Sequence, residues 1–116
     1  MNDRRIFKSS DFMHPSDGDP IRSVVTQSTE VVVVAWHVAQ GQRIAAHIHP
    51  HGQDTWTILS GAGEYQTDPI GGFCAIVAGD VVVAHTGQVH GVFNPNPEPL
   101  IFISVVSPSE AGYELQ

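Results

Sequence analysis

The chain has 116 residues and a formal net charge of −7, with 41% hydrophobic and 15% charged residues. This composition is typical of one folded domain with a single core and excludes a largely disordered chain. No Lys or Arg occurs after residue 43, so no basic surface can neutralise a run of phosphates, which excludes nucleic acid as a partner and disfavours an anionic membrane. The basic residues are Arg4, Arg5, Lys8, Arg22 and Arg43.

Two further signals concern location and redox state. Residues 1–12 are polar and lack the apolar core of a secretory signal, and no apolar run approaches the roughly 20 residues that span a bilayer. Cys74 is the single cysteine, so no intramolecular disulfide can form, and we expect it to be a small buried hydrophobe. We therefore expect a cytoplasmic protein.

In chain order, residues 1–20 are polar and interrupted by Pro15, Gly18 and Pro20, which predicts an N-terminal arm or edge strand. Residues 21–107 then form the predicted barrel, and 108–116 a C-terminal tail. The run EVVVVAWHVA at 30–39 is rich in β-branched residues and predicts a strand that is buried on both faces.

Short apolar stretches with turn residues between them continue to the end of the barrel. No amphipathic helical period of useful length occurs, so an all-β fold is predicted, with at most a short helical turn near a terminus. The predicted strands are 21–28, 30–39, 43–49, 54–60, 64–67, 73–77, 81–85, 90–94 and 100–106.

The stretch GQRIAAHIHPHGQDTWTILSG carries histidines at alternate positions, His47, His49 and His51. Alternate side chains of an extended strand point to one face, and two imidazoles on one face can chelate a transition metal. Asp54 follows as an anionic oxygen ligand, and His90 stands far away in sequence. We predict that the fold gathers His90 with the others around one metal.

These residues resemble the two conserved motifs of small single-domain cupins. The first motif has glycine, five residues, His-any-His, three or four residues, a carboxylate, six residues and glycine. Every spacing fits, although Asp54 stands where the family usually has glutamate. The matching residues are Gly41, His47, His49, Asp54 and Gly61.

The second motif has glycine, five residues, proline, any residue, glycine, two residues, histidine, three residues and asparagine. Every spacing fits again, and His85 replaces the usual proline. The matching residues are Gly79, His85, Gly87, His90 and Asn94.

The resemblance implies a cupin-type double-stranded β-helix, a jelly-roll β-barrel of one domain. It implies one divalent transition metal per chain, among Fe, Mn, Ni, Zn and Co, held in the barrel mouth by His47, His49, Asp54 and His90. It also implies a homodimer, in whose interface strand 30–39 could lie.

Three positions stay open at this stage. Gln53 competes with Asp54 as the oxygen donor, although a carboxylate is the stronger ligand for a dication. His51 is either a residue at the rim of the site or a ligand. His85 marks either an altered turn or a polar group directed into the cavity. We therefore take His51 and His85 as candidate catalytic proton carriers.

The sequence and the resemblance predict the function only in outline. The favoured hypothesis is a metal-dependent enzyme of dioxygenase or isomerase type, acting on a small polar organic molecule. The alternative is a non-catalytic module that binds or senses a metal or small molecule. A third hypothesis is a dimer whose metal is structural. Fold-level resemblance does not choose among these.

Overall fold

The computed structural model describes residues 4–116, so residues 1–3 of the predicted arm lie outside the described part. Within it, ten strands and one 3₁₀ helix, Ser9–Phe12, follow one another along the chain. The strands are β1 (Ser23–Gln27), β2 (Val32–Val38), β3 (Arg43–Ile48), β4 (Gln53–Ser60), β5 (Ala62–Gln66), β6 (Phe73–Val77), β7 (Val81–Ala84), β8 (His90–Phe93), β9 (Leu100–Ser107) and β10 (Glu114–Leu115).

The strands form two five-stranded sheets in which every neighbouring pair is antiparallel. Sheet I has the order β1-β2-β9-β4-β7, and sheet II has the order β10-β3-β8-β5-β6. The all-β jelly-roll prediction is confirmed, and the 3₁₀ helix near the N-terminus is the expected short helical turn.

The inward faces of the sheets form the core, and the alternation along the strands decides which side chains take part. Trp56 stacks on Phe102 with ring centroids 4.2 Å apart, and both side chains are buried. On β2, Trp36 lies on this inward face, since its ring stacks on Phe102 at 6.4 Å. The core cluster comprises Val38, Trp56, Ile58, Tyr65, Ile76, Val92, Leu100 and Phe102.

The glycines of both sequence motifs sit where the backbone needs them. All four have φ between 77° and 97°, a region that residues with a Cβ rarely adopt. These glycines are Gly41, Gly61, Gly79 and Gly87. The motif spacing therefore marks the turns that bring the ligand strands together.

The N-terminal arm is attached to the barrel. The 3₁₀ helix lies against β1 and β2. The side-chain amide of Gln42 donates hydrogen bonds to the carbonyls of Ser16, at 2.7 Å, and Gly18, at 2.6 Å.

The C-terminal segment 107–116 is structured and crosses the barrel next to the histidine stretch. Its strand β10 pairs with β3, with Leu115 opposite His47. A Cβ at Gly52 would lie 2.6 Å from both Ala111 Cβ and the Ser107 carbonyl oxygen. The absence of a side chain at Gly52 therefore allows this segment to lie directly on the turn after β3.

Two further observations concern the surface. Cys74 is exposed, so the prediction of a buried thiol was wrong. It lies on β6, which is an edge strand of sheet II and has no neighbouring strand on its outer side. None of residues 4–116 lies in a helix that is long and apolar enough to cross a membrane.

Candidate metal centre

The four predicted ligands converge on one point between the two sheets. His47 is the penultimate residue of β3 and lies opposite His90, the first residue of β8, in sheet II. His49 follows directly after the end of β3. Asp54 approaches from β4 in sheet I. One ligand atom from each of the four lies within 4.8 Å of the others.

The three imidazole rings pack against one another. Their centroids are 4.1 Å apart for His47 and His90, and 5.1 Å apart for His49 with each of the other two. The alternation of His47 and His49 along β3 places both on the interior side, as the spacing predicts.

Hydrogen bonds to backbone carbonyls fix which ring nitrogen faces the centre. The Nδ1–H groups of His47, His49 and His90 donate to the carbonyls of Ala45, Gly112 and Gln88, at 2.7, 2.7 and 3.1 Å. In the neutral form of each ring, Nε2 therefore carries the lone pair and faces the centre, which is the form of imidazole that binds a metal.

The carboxylate of Asp54 completes the cluster. Its Oδ2 lies 3.1 Å from His90 Nε2 and 3.4 Å from His49 Nε2, and its Oδ1 accepts a hydrogen bond of 2.5 Å from the Ser104 hydroxyl. At these separations the imidazole nitrogens and the carboxylate share a proton in the metal-free protein, and a metal cation can take its place. The donor set of three nitrogens and one anionic oxygen therefore fits a divalent transition metal.

Buried charge is arranged to favour such a cation. Burial, with the neighbouring His90, lowers the pKa of His47 to about 4, so His47 is neutral at pH 7. Burial alone would raise the pKa of Asp54, but hydrogen bonds with His49, His90 and Ser104 hold it well below its usual range. Asp54 is therefore ionised.

His49 differs from His47 because it contacts the carboxylate. Burial disfavours its charged form, but the hydrogen bonds with Asp54 and Gly112 raise the pKa of His49 overall, and the positive charge of Arg22 acts against this rise. His49 is therefore the ligand most able to hold a proton in the metal-free protein.

The register of β4 decides between Gln53 and Asp54. Asp54 is 4% exposed and lies in the cluster, whereas Gln53 is exposed. Adjacent side chains of a strand point to opposite faces, so Gln53 faces away from the histidines.

A cavity of about 520 Å³ opens beside the cluster. His47, His49 and Asp54 line it, while His90 lies behind them and is 1% exposed. The rest of the lining is mostly apolar, with a few polar groups. It consists of Arg22, Val32, Val34, Trp36, Ile44, Trp56, Ser104, Val106, Ser109, Ala111, Gly112 and Tyr113.

The other two candidate histidines lie elsewhere. His51 is exposed in the turn after β3, and its backbone N–H donates to the Ala111 carbonyl at 2.8 Å. His85 is exposed at the end of β7, and its backbone N–H donates to the Gln88 side chain at 2.9 Å. Neither lines the cavity, and their catalytic roles stay predictions.

The asparagine of the second motif binds backbone carbonyls and is not part of the metal cluster. Asn94 is fully buried, and its amide donates to the carbonyls of Val38 and Glu98, both at 2.9 Å. It therefore ties the loop after β8 to the end of β2.

Sequence reasoning missed three residues of the site. Ser104 could have been found, because it shares the inward face of β9 with Phe102. Tyr113, whose ring centroid lies 4.9 Å from that of His47, and Arg22 lie outside the two motifs. No spacing within the chain indicates that either one reaches the cavity.

Comparison with known proteins supports the same fold. A model of the Cupin domain family matches residues 34–106. A crystal structure of an uncharacterised conserved protein with a double-stranded beta-helix domain, from Klebsiella pneumoniae, is 51% identical. That alignment covers 97% of each chain with a TM-score of 0.94. None of the curated proteins matches.

More distant solved structures share the fold alone. KdgF from a Halomonas species is 22% identical over 75% of this chain and 76% of its own, with a TM-score of 0.66. The DMSP lyase DddQ from Ruegeria pomeroyi is 19% identical over 77% of this chain and 44% of its own, also with a TM-score of 0.66.

Proposed function

We propose a function from one premise: the chain belongs to the cupin domain family. On that premise it is a metal-dependent enzyme of dioxygenase or isomerase type that acts on a small polar organic molecule. One divalent transition metal per chain, among Fe, Mn, Ni, Zn and Co, is held by His47, His49, Asp54 and His90.

The observation that carries the proposal is the position of the cluster in the wall of a cavity. Three of its four members line a space of about 520 Å³, which is within the usual range for small-molecule sites. Four protein ligands would leave room for further ligands on a transition metal that accepts six, and the adjoining cavity would admit a substrate. A structural metal is usually enclosed by protein ligands instead.

The chain's own residues would hold and tune the ion. Backbone carbonyls orient the three rings through Nδ1–H, and Ser104 orients the Asp54 carboxylate. Three neutral imidazoles and one carboxylate leave a charge of +1 on a bound dication. When bound, such an ion supplies Lewis-acid or oxygen-activating chemistry.

The apolar cavity wall would hold the body of the substrate and limit the access of water. Cupin barrels of this shape include at least one enzyme, the DMSP lyase. This supports catalysis as a use of the fold and carries no information about the substrate here.

A second candidate function, a non-catalytic binding or sensing module, is favoured by one observation. Among the described residues, the cavity lining holds no titratable group besides three of the ligands, Arg22 and Tyr113. General acids and bases in enzymes are most often histidines or carboxylates, and those in this lining are the candidate metal ligands.

The deciding experiment uses protein purified without a polyhistidine tag. Metal analysis should find about one divalent ion per chain, because the donor set suits one transition metal. A substrate screen on the loaded protein should then give turnover that His49→Ala abolishes. Ligand-induced thermal shifts without any turnover would favour the binding module, and protein that takes up no metal would contradict the metal-dependent enzyme.

We also propose a homodimer, as the family resemblance implies. Apolar side chains on the outer face of sheet I support it: Leu59, Val81 and Val83 are 45%, 63% and 37% exposed. Sedimentation velocity of the wild type and of Val81→Lys tests this, and a wild type that stays monomeric at every concentration would contradict it.

A further inference from the structure

Arg22 is the one cationic side chain in the cavity lining among residues 4–116. It precedes β1, it is exposed, and within the described residues no carboxylate lies within ion-pair distance of it. An arginine so placed is available to a ligand that enters the cavity.

The charge around the cavity contrasts with that of the whole protein. The chain carries a formal net charge of −7, yet this cavity combines Arg22 with a metal cluster whose net charge would be +1. The largely apolar walls reduce the screening of the cluster's charge, and the exposed Arg22 adds a second positive charge that water screens more strongly. The cavity therefore selects for negative charge.

The surface around Arg22 is apolar. Val32, Val34 and Trp36 project from β2 into the cavity, and Trp56 of β4 lies beside them on the same inward face of sheet I. A small, purely polar anion would leave this apolar surface exposed to water, whereas a ligand with an apolar body would cover it. The lining therefore fits an organic molecule with one apolar and one anionic part.

We propose that Arg22 anchors the carboxylate of an amphipathic organic anion whose apolar body packs on β2. The planar fork of a guanidinium matches the two oxygens of a carboxylate, and the single positive charge suits a monoanion. The proposal rests on the proposed function, because a polar atom at the far end of this ligand would reach the metal. It adds the substrate class to that function.

The test uses phenylacetate and phenylacetamide as probes. They share one shape and one apolar body, and differ in the charge that Arg22 would recognise. The chain has two tryptophans, Trp36 and Trp56, and both line the cavity. Intrinsic fluorescence therefore reports probe binding directly, with zinc as the metal because its filled d shell keeps it redox-inert.

Wild-type protein should bind phenylacetate more tightly than phenylacetamide. Arg22→Gln should weaken phenylacetate by about fivefold or more and leave phenylacetamide unchanged, since a partly exposed charged pair contributes moderately. Arg22→Lys should recover part of the loss. The matched control is Arg43→Gln, which removes the same charge from an arginine that lies over the Phe93 ring outside the cavity.

Two results would overturn the proposal. One is a wild type that binds no phenylacetate, and the other is an Arg22→Gln variant that keeps the wild-type preference for phenylacetate over phenylacetamide. Metal content measured on the same samples separates the two hypotheses. If zinc occupancy is full and phenylacetate affinity does not depend on Arg22, the role of Arg22 as an anchor is wrong and the metal site stands. If phenylacetate affinity depends on Arg22 in protein that takes up no zinc, the proposed metal-dependent function is wrong and the role of Arg22 as an anchor stands.

Discussion

The interior of the barrel has two ends that differ in chemistry although the same strands build both. The closed end is formed by Val38, Ile58, Val92, Leu100 and Phe102, each no more than 2% exposed. The open end is formed by the four clustered ligands, Ser104 and the cavity walls. Going along β4, the inward side chains change from Ile58 through Trp56 to Asp54, while along β9 they change from Phe102 to Ser104.

The difference shows how one small domain separates stability from function. At the closed end these five inward side chains are apolar and packed, so their burial stabilises the fold. At the open end buried polar groups are costly, and they are tolerated because carbonyls, Ser104 and one another supply their partners. Substitutions at the two ends should therefore have separable effects.

The largest effect is expected at the closed end. Phe102→Ala removes a fully buried ring that packs against two tryptophans, and it should lower the free energy of unfolding by about 3–5 kcal/mol. Urea titration followed by circular dichroism measures this loss. The control is Ile103→Ala, on the half-buried outer face of the same strand. An equal loss in both variants would mean that the inward face is not the core.

At the open end, His49→Ala should reduce metal affinity by about a hundredfold or more, because it removes a ligand, whereas loss of an outer partner alone costs 10–100-fold. The matched control is His51→Ala, two residues along the same stretch, which should leave affinity unchanged. Chelation should also lower the melting temperature of the wild type far more than that of His49→Ala.

Competition with a chromogenic chelator measures both affinities. If His49→Ala and the wild type had equal metal affinity, the cluster would not be a metal site. The functional contrast between the two ends of the barrel would then also be wrong.

A somewhat smaller effect should separate Asp54 from its neighbour. Asp54→Asn keeps the shape of the side chain and removes its charge, so it should weaken metal binding by about tenfold or more, whereas Gln53→Ala should have no measurable effect. Asp54→Glu should be tolerated. The same chelator competition applies, and a greater loss from Gln53→Ala would show that the cluster is assembled in another register.

A final test of the open end concerns pH. Because the pKa of His49 is raised, this ring holds a proton below its pKa and must release it to bind a metal. Metal affinity should therefore rise with pH by about tenfold per unit below that pKa and level off above it. His47 is already neutral, since its pKa is about 4. Affinity that is constant between pH 5 and 8 would contradict this assignment.

Much of the local structure was predictable because it depends on neighbours in sequence. The observed ends of β6 match the predicted strand 73–77, and those of β2 and β9 differ from the predictions by at most two residues. Strand β10 was missed, because two residues near a terminus carry no period. Cys74 was predicted to be buried on the basis of residue type alone, which says nothing about whether its strand lies at an edge.

What the sequence by itself determined is the set of residues that share a face and the turns between them. His47 and His49 lie on one side of β3 because side chains alternate, and the motif glycines lie at turns because the backbone there has positive φ. The tertiary structure alone decided which faces meet. Asp54 reaches the histidines from the opposite sheet, and Arg22 and Tyr113 reach the cavity from the two ends of the chain. Such contacts depend on how distant strands pair, and alternation within a strand carries no information about that.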